Sequence, residues 1–258
     1  MRRARRAFNR PKGLFYDPRF SVLGMCKPPT FIDTIFVRES KPFEEGPVVS
    51  KKILSLGIMG GAFNPIHFGH LVTAEEALVQ YGLDQVIFIP SGHPPHKTDE
   101  EILAAEERYL MAVIATASNP DFVVSRTEID RAGPSYAIDT VQELIEIHGE
   151  ETKILFITGA DAILEILTWK DSDKLYDLCS FIAATRPGYS LAKFKQLHLL
   201  PENKHAMEKR PNVSVMEIPA LAISSTDIRR RIKERRPIQY LLPEGVANYI
   251  RKSGFYRA

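Results

Sequence analysis

His67 and His70 flank Phe68-Gly69 at the end of the run Gly60-Gly61-Ala62-Phe63-Asn64-Pro65-Ile66-His67-Phe68-Gly69-His70. Consecutive glycines let backbone N–H groups approach a polyanion closely. The helix expected next presents unpaired N–H groups and the positive end of its dipole, which together make a phosphate site. Side chains three apart at a helix start fall on one side. Both imidazoles can then donate hydrogen bonds to a phosphate, stabilising charge that builds in a transition state without a covalent intermediate. Gly69 is expected to leave room for a ligand against the backbone. Two other readings stay open: histidines that only cap or pack a helix, and a zinc pair. The zinc reading finds no third ligand close by, since His93 and His96 belong to another loop.

A second run, Ile223-Ser224-Ser225-Thr226-Asp227-Ile228-Arg229-Arg230, opens a basic helix. Ser224 or Ser225 is a natural N-cap. Hydroxyls, free amides and the Arg229 guanidinium converging at one helix end suit a triphosphate tail. The same residues also describe an ordinary capped helix with a solvated arginine face.

The elements that must carry these residues follow from periodicity. Apolar runs predict strands at 53–59, leading into Gly60-Gly61, and at 85–89, 122–124, 153–158, 181–184 and 213–218. Helical spacing predicts helices at 70–81, 101–117, 136–148, 160–167, 172–178, 225–234 and 243–252. In the helix over 101–117, Leu103, Leu110, Met111 and Ile114 form the expected apolar stripe. Residues 189–211 read only as a helix and a loop. Strands alternating with helices imply an α/β, doubly wound, mainly parallel sheet covered on both faces. The loops 60–69, 90–98 and 159–162 then lie at its carboxyl edge, where open α/β sheets bind ligands.

The chain has 258 residues and a net charge of +2. Residues 1–52 hold 12 Lys/Arg against 5 Asp/Glu, a balance of +7; residues 53–258 hold 22 against 27, a balance of −5. Residues 1–51 read as a basic, proline-containing extension, disordered or extended. Its origin stays open among a nucleic-acid-binding arm, an organelle transit peptide and a start placed upstream. Residues 52–258 read as the catalytic domain. No stretch nears the roughly 20 apolar residues of a membrane span. Two distant cysteines, Cys26 and Cys179, fit a reducing compartment, with Cys179 a buried apolar residue.

The H-x-G-H and I-S-S-T-x-I-R runs together resemble the nucleotidyltransferase superfamily. Class I aminoacyl-tRNA synthetases share the first run, but this chain is short for one and has no K-M-S-K-S-like loop. From about Lys52 onward the chain is similar to the bacterial nicotinate-nucleotide adenylyltransferase family. Three further segments carry that likeness: Ile89-Pro90-Ser91-Gly92-His93-Pro94-Pro95-His96-Lys97, Gly133-Pro134-Ser135-Tyr136-Ala137-Ile138-Asp139-Thr140, and Thr158-Gly159-Ala160-Asp161-Ala162 followed by Trp169-Lys170.

The resemblance implies a Rossmann-like nucleotidyltransferase fold and adenylyl transfer from ATP to nicotinate mononucleotide, giving nicotinate adenine dinucleotide and diphosphate. It implies catalytic roles for His67, His70 and Arg229. ATP and its phosphates fall to Gly60, Gly61, Ala62, Phe63, Gly69, Lys97, Ile223, Ser224, Ser225 and Thr226. The mononucleotide falls to Ser135, Tyr136, Asp161, Trp169 and Arg186. A pyridine ring wants an aromatic face, and Trp169 is the single tryptophan. Asp161 suits ribose hydroxyls, or else the N-cap of the next helix. Lys97 is a point charge for phosphate, or else a solvated loop lysine. Mg²⁺ is expected to ride on ATP phosphates with few protein ligands, and no protein metal ligand is assigned. The expected setting is cytoplasmic, with no membrane partner. The basic arm leaves nucleic acid open, and a homo-oligomer is compatible. The chain departs from the family's usual G-G-T-F-D-P-x-H at Ala62, which lacks a hydroxyl, and at Asn64, which lacks a charge. The rival readings are nicotinamide mononucleotide or phosphopantetheine as acceptor, and a non-catalytic nucleotide sensor.

Overall fold

The structure, a computed structural model, describes residues 53–93, 102–196, 212–219 and 222–257. Residues 1–52, Lys97 and residues 197–211 lie outside the described residues.

Six strands form one sheet: β1 (Ser55–Gly61), β2 (Gln85–Pro90), β3 (Phe122–Val124), β4 (Lys153–Gly159), β5 (Ser180–Thr185) and β6 (Val213–Glu217). Their order is β3-β2-β1-β4-β5-β6, and every pairing is parallel. Strand order reverses between β1 and β4, whose register pairs Ile58 with Phe156. Open α/β sheets bind ligands at such a switch point.

Side chains alternate across the sheet with period two, and the core divides accordingly. Ile87, Ile89, Phe156 and Phe181 point to one face, which is covered by α4 (Ala137–His148), α5 (Ala160–Ile163), α6 (Ser172–Leu178) and α7 (Ala192–Gln196). Val86, Phe88, Leu155, Ile157 and Ile182 point to the other, under α1 (Phe68–Gln80), α2 (Ala105–Thr116), α8 (Ser225–Lys233) and α9 (Glu244–Ser253). Being covered on both faces explains why β2 and β4 read as unbroken apolar runs. Each fully buried large side chain, such as Phe88 or Ile157, contributes about 1.5–3 kcal/mol.

The expected strands and long helices are all found, with local differences. Helix α1 begins two residues early, at Phe68, because His67 takes the N-cap position. Helix α2 begins at Ala105 rather than at 101. Its buried face is Arg108, Met111, Ala112 and Ala115, rotated from the expected stripe, while Leu110 is 40% exposed. The rotation brings Arg108 onto the loops at the carboxyl edge of the sheet. The helix expected over 160–167 breaks into α5 and a 3-10 turn at Ile166–Thr168. One short helix, α3 (Thr127–Asp130), was not predicted, and α7 falls within 189–211, where a helix and a loop were expected. No helix among the described residues is long and apolar enough to cross a membrane.

Candidate active site

A cleft of about 440 Å³ opens at the carboxyl edge of the sheet. Met59 and Gly60 come to it from β1, and His67, Gly69, His70 and Thr73 from the start of α1. Asp161 follows β4, Arg186 and Tyr189 follow β5, and Ile218 and Ile223 follow β6. Of the residues assigned from sequence, the cleft thus gathers Gly60, His67, Gly69, His70, Asp161, Arg186 and Ile223.

The two histidines stack, with ring centroids 3.8 Å apart and planes 25° from parallel. Phe63 meets the His70 ring edge-on at 5.1 Å. The His67 amide donates to His70 Nδ1 at 3.2 Å. An accepting Nδ1 places the proton of a neutral ring on Nε2, so His70 carries an Nε2–H donor. Burial, with the Arg186 charge as a second cause, holds the His67 pKa down to about 4. Burial, then His67, pushes His70 well below its usual value. The free cleft therefore holds two neutral imidazoles at neutral pH, which act as hydrogen-bond donors rather than as cations.

Two details of this motif go beyond the expectation. Gly69 lines the cleft and also makes room for His67: a Cβ there would meet His67 Nδ1 at 2.9 Å and Cε1 at 3.0 Å. The start of α1 is also less open than expected. The Phe68 amide donates to Leu241 O at 3.1 Å, and the His70 amide to His67 O at 2.9 Å.

The loop before His67 is held by its backbone carbonyls. Arg229 donates to Asn64 O at 2.8 Å, and Ser225 Oγ to Pro65 O at 2.8 Å. The second motif thus grips the first, although only Ile223 of it lines the cleft. Ser224 is the N-cap of α8, accepting from the Asp227 amide at 3.2 Å, and Thr226 is exposed. Gly61 accepts from the Ser91 amide at 2.9 Å, and Phe63 is buried with φ 45°. Asn64 is buried too. Its Oδ1 accepts from Tyr256 OH at 2.7 Å and from the Leu103 amide at 3.4 Å. Its departure from the usual acid therefore bears on internal bracing.

Sequence reasoning missed Arg108, which is 1% exposed. It donates to Ala62 O (2.8 Å), Ser91 O (2.6 Å), Gly92 O (3.3 Å) and Leu103 O (2.9 Å). Burial lowers its pKa, and the nearby Tyr256 hydroxyl and Glu128 oppose that shift. Its i, i+3, i+4 relation to Met111 and Ala112 was the available signal. Tyr189 was also missed; its hydroxyl donates to Asp161 Oδ1 at 3.0 Å. Gly159, not Asp161, takes the N-cap position of α5.

The remaining assigned residues gather elsewhere. Ser135 Oγ accepts from the Gly92 and His93 amides at 3.2 and 3.3 Å. Tyr136 takes the N-cap position of α4, with Lys170 Nζ 4.4 Å from its ring centroid. Trp169 is half-buried and packs edge-on against Phe156 at 5.6 Å. None of these lines the 440 Å³ cleft.

The cytidylyltransferase-like family matches residues 58–231. A Moorella thermoacetica protein named "probable nicotinate-nucleotide adenylyltransferase" is 58% identical over 204 residues, covering 78% of this chain and 91% of its own. A protein of the same name from Thermoanaerobacter sp. is 50% identical over 206 residues, with 79% and 95% covered. Among solved structures, Plasmodium falciparum nicotinic acid mononucleotide adenylyltransferase complexed with NaAD superposes with a TM-score of 0.62. It is 18% identical, with 78% of this chain and 97% of that one covered, and so speaks for the fold alone. The chain belongs to the cytidylyltransferase-like family and, within it, to the nicotinate-nucleotide adenylyltransferases, and is a nucleotidyltransferase.

Proposed function

We propose that this chain joins nicotinate mononucleotide to ATP, forming nicotinate adenine dinucleotide and diphosphate, a step of NAD biosynthesis in the cytoplasm. The observation that carries the reading is the stacked, neutral histidine pair at a helix start, over a cleft at the switch point of the sheet. The family relatives named above carry the same activity in their names.

In the proposed reaction the 5′-phosphate oxygen of the mononucleotide attacks the α-phosphorus of ATP in line. The new P–O bond forms as the bond to the β-phosphate oxygen breaks, and diphosphate leaves with that electron pair. The nucleophile is already an anion, so positioning and charge neutralisation are the protein's task. His70 Nε2–H and His67 would donate to the transferring phosphate, where charge accumulates. Asp161 would take ribose hydroxyls, and Arg186 would supply the cation of the cleft. Gly60 would let a phosphate approach the backbone. Arg229 would reach the outgoing diphosphate with N–H groups beyond those given to Asn64 O and Thr226, and the Ser225 hydroxyl by exchanging its bond to Pro65 O. Tyr136 and Trp169 would receive the pyridine ring, with Ser135 holding their loop.

Among the described residues no group of three His, Cys, Asp or Glu is placed to hold a metal, and the one carboxylate lining the cleft, Asp161, accepts from Tyr189. That donor set fits Mg²⁺ carried by ATP phosphates, where it would neutralise charge. The test is purified protein with ATP, Mg²⁺ and, in separate reactions, nicotinate mononucleotide, nicotinamide mononucleotide and phosphopantetheine. Diphosphate release is expected foremost with nicotinate mononucleotide, and its absence there would end the proposal.

A further inference from the structure

We infer that Arg108 is a positioning residue for the transfer reaction, fixing the spacing between the histidine motif and the loop that carries Ser135 and Tyr136. The inference rests on the reading above, in which two substrates meet across that spacing.

The three guanidinium nitrogens serve three separate stretches of chain. One reaches Ala62 O, five residues before His67, and a second reaches Ser91 O and Gly92 O just past β2. The third reaches Leu103 O, before α2. The Gly92 amide in turn donates to Ser135 Oγ, beside Tyr136. One side chain therefore joins the phosphate side to the aromatic side. A planar fork with fixed directions can do this, whereas an ammonium is a single point. The joint is tight as well: a Cβ on Gly92 would lie 2.0 Å from Glu128 O.

Packing alone does not account for an arginine here. Its neighbours on the buried face of α2 are Met111, Ala112 and Ala115, and an apolar residue would fill the place without desolvating a charge. Glu128 lies close enough to favour the charge, yet all four of the hydrogen-bond acceptors are backbone carbonyls, so the directed contacts report where the chain lies.

The two half-sites keep their own residues when Arg108 changes; only their separation drifts. That predicts a split between kinetic constants. In Arg108→Lys, kcat per folded molecule should fall about 100-fold while both KM values stay within about threefold, because reacting groups misplaced by about 1 Å lose roughly that much. Arg108→Gln should show the same split more strongly. Folded fraction is read by circular dichroism at 20 °C, well below each variant's unfolding midpoint. An unchanged kcat per folded molecule, or a loss confined to KM, would overturn the inference, and so would failure of both variants to fold. The assay runs with all three acceptors. Wild-type turnover with only another acceptor would defeat the substrate proposal and leave the Arg108 comparison to be made on that acceptor.

Discussion

Residues 62–70 and residues 133–170 carry the two halves of the proposed site, and they are held by different means. The first stretch is braced through its backbone. Arg108, Arg229 and Ser225 donate to the carbonyls of Ala62, Asn64 and Pro65, Tyr256 fixes the Asn64 side chain, and Leu241 O takes the Phe68 amide. The second is anchored by β4, paired on both edges, and by Thr140 donating to the buried Glu128 carboxylate; its proposed contact residues are held by the Ser135 hydroxyl, an edge contact of Trp169 on Phe156, and Lys170 between Tyr136 and Asp139. The Lys170–Asp139 pair is 3.4 Å apart with side chains 44% and 35% exposed, so it contributes about 0–1 kcal/mol. Bond-making needs fixed geometry, and the histidine side has it. On the proposed aromatic side Trp169 is half-buried and the Lys170–Asp139 pair is exposed, so any tolerance between related pyridine mononucleotides is expected there.

The sharpest way to break this contrast is His70→Ala. Losing a donor aimed at developing charge should lower turnover about 10²–10³-fold, with a smaller effect on ATP binding. Steady-state rates beside an ATP-binding titration check it, and near-normal turnover would remove His70 from the chemistry.

Acid should act on the histidine side first. His67 has a pKa of about 4 in the folded chain against an ordinary value of 6.5. As pH falls below 6.5 the unfolded chain takes a proton that the folded chain refuses, so stability is lost progressively down to about 4. The full difference is about 3 kcal/mol. Urea midpoints at pH 7 and pH 4.5 should diverge in wild type, less in His67→Gln, and least when His70→Gln is added, since burial keeps His70 neutral as well; equal divergence in all three would assign the acid response elsewhere.

Gly69→Ala comes next. The added carbon would press on the His67 ring and shift the stack, so turnover should fall roughly 10- to 100-fold. Destabilisation of about 1–3 kcal/mol should accompany it. Unaltered kinetics would show that the stacked arrangement is not needed. The smallest effect belongs to the aromatic side. Trp169→Ala should raise KM for the mononucleotide about tenfold and leave KM for ATP unchanged, from the loss of one aromatic contact. A rise in the ATP value instead would mean the two halves are assigned the wrong way round.

Much of this was legible in the sequence because it is local. Unbroken apolar runs marked β2 and β4, and a Gly-Gly run closing a strand marked the ligand-binding edge of the sheet. His67 and His70, three apart, could only share a side of α1. Bracing was not legible, because it is long-range. Tyr256 reaches Asn64 across 192 positions and Ser225 reaches Pro65 across 160. Local spacing contains nothing of either. Arg108 was hidden for another reason. An arginine in an amphipathic helix normally belongs to the wet face, and Leu103, Leu110, Met111 and Ile114 offered a plausible stripe that excluded it. The energy of four carbonyl contacts overrode that pattern.

The neutral histidine pair also bears on inhibitor chemistry. A cleft built on imidazolium ions would demand an anion, and anions cross cell envelopes poorly. Here the cleft offers the Nε2–H donor of His70 and the neutral imidazole of His67. An uncharged heteroaromatic compound with a single well-placed acceptor has what it needs to compete for the ground the α-phosphate is proposed to occupy, without the desolvation cost of a charge.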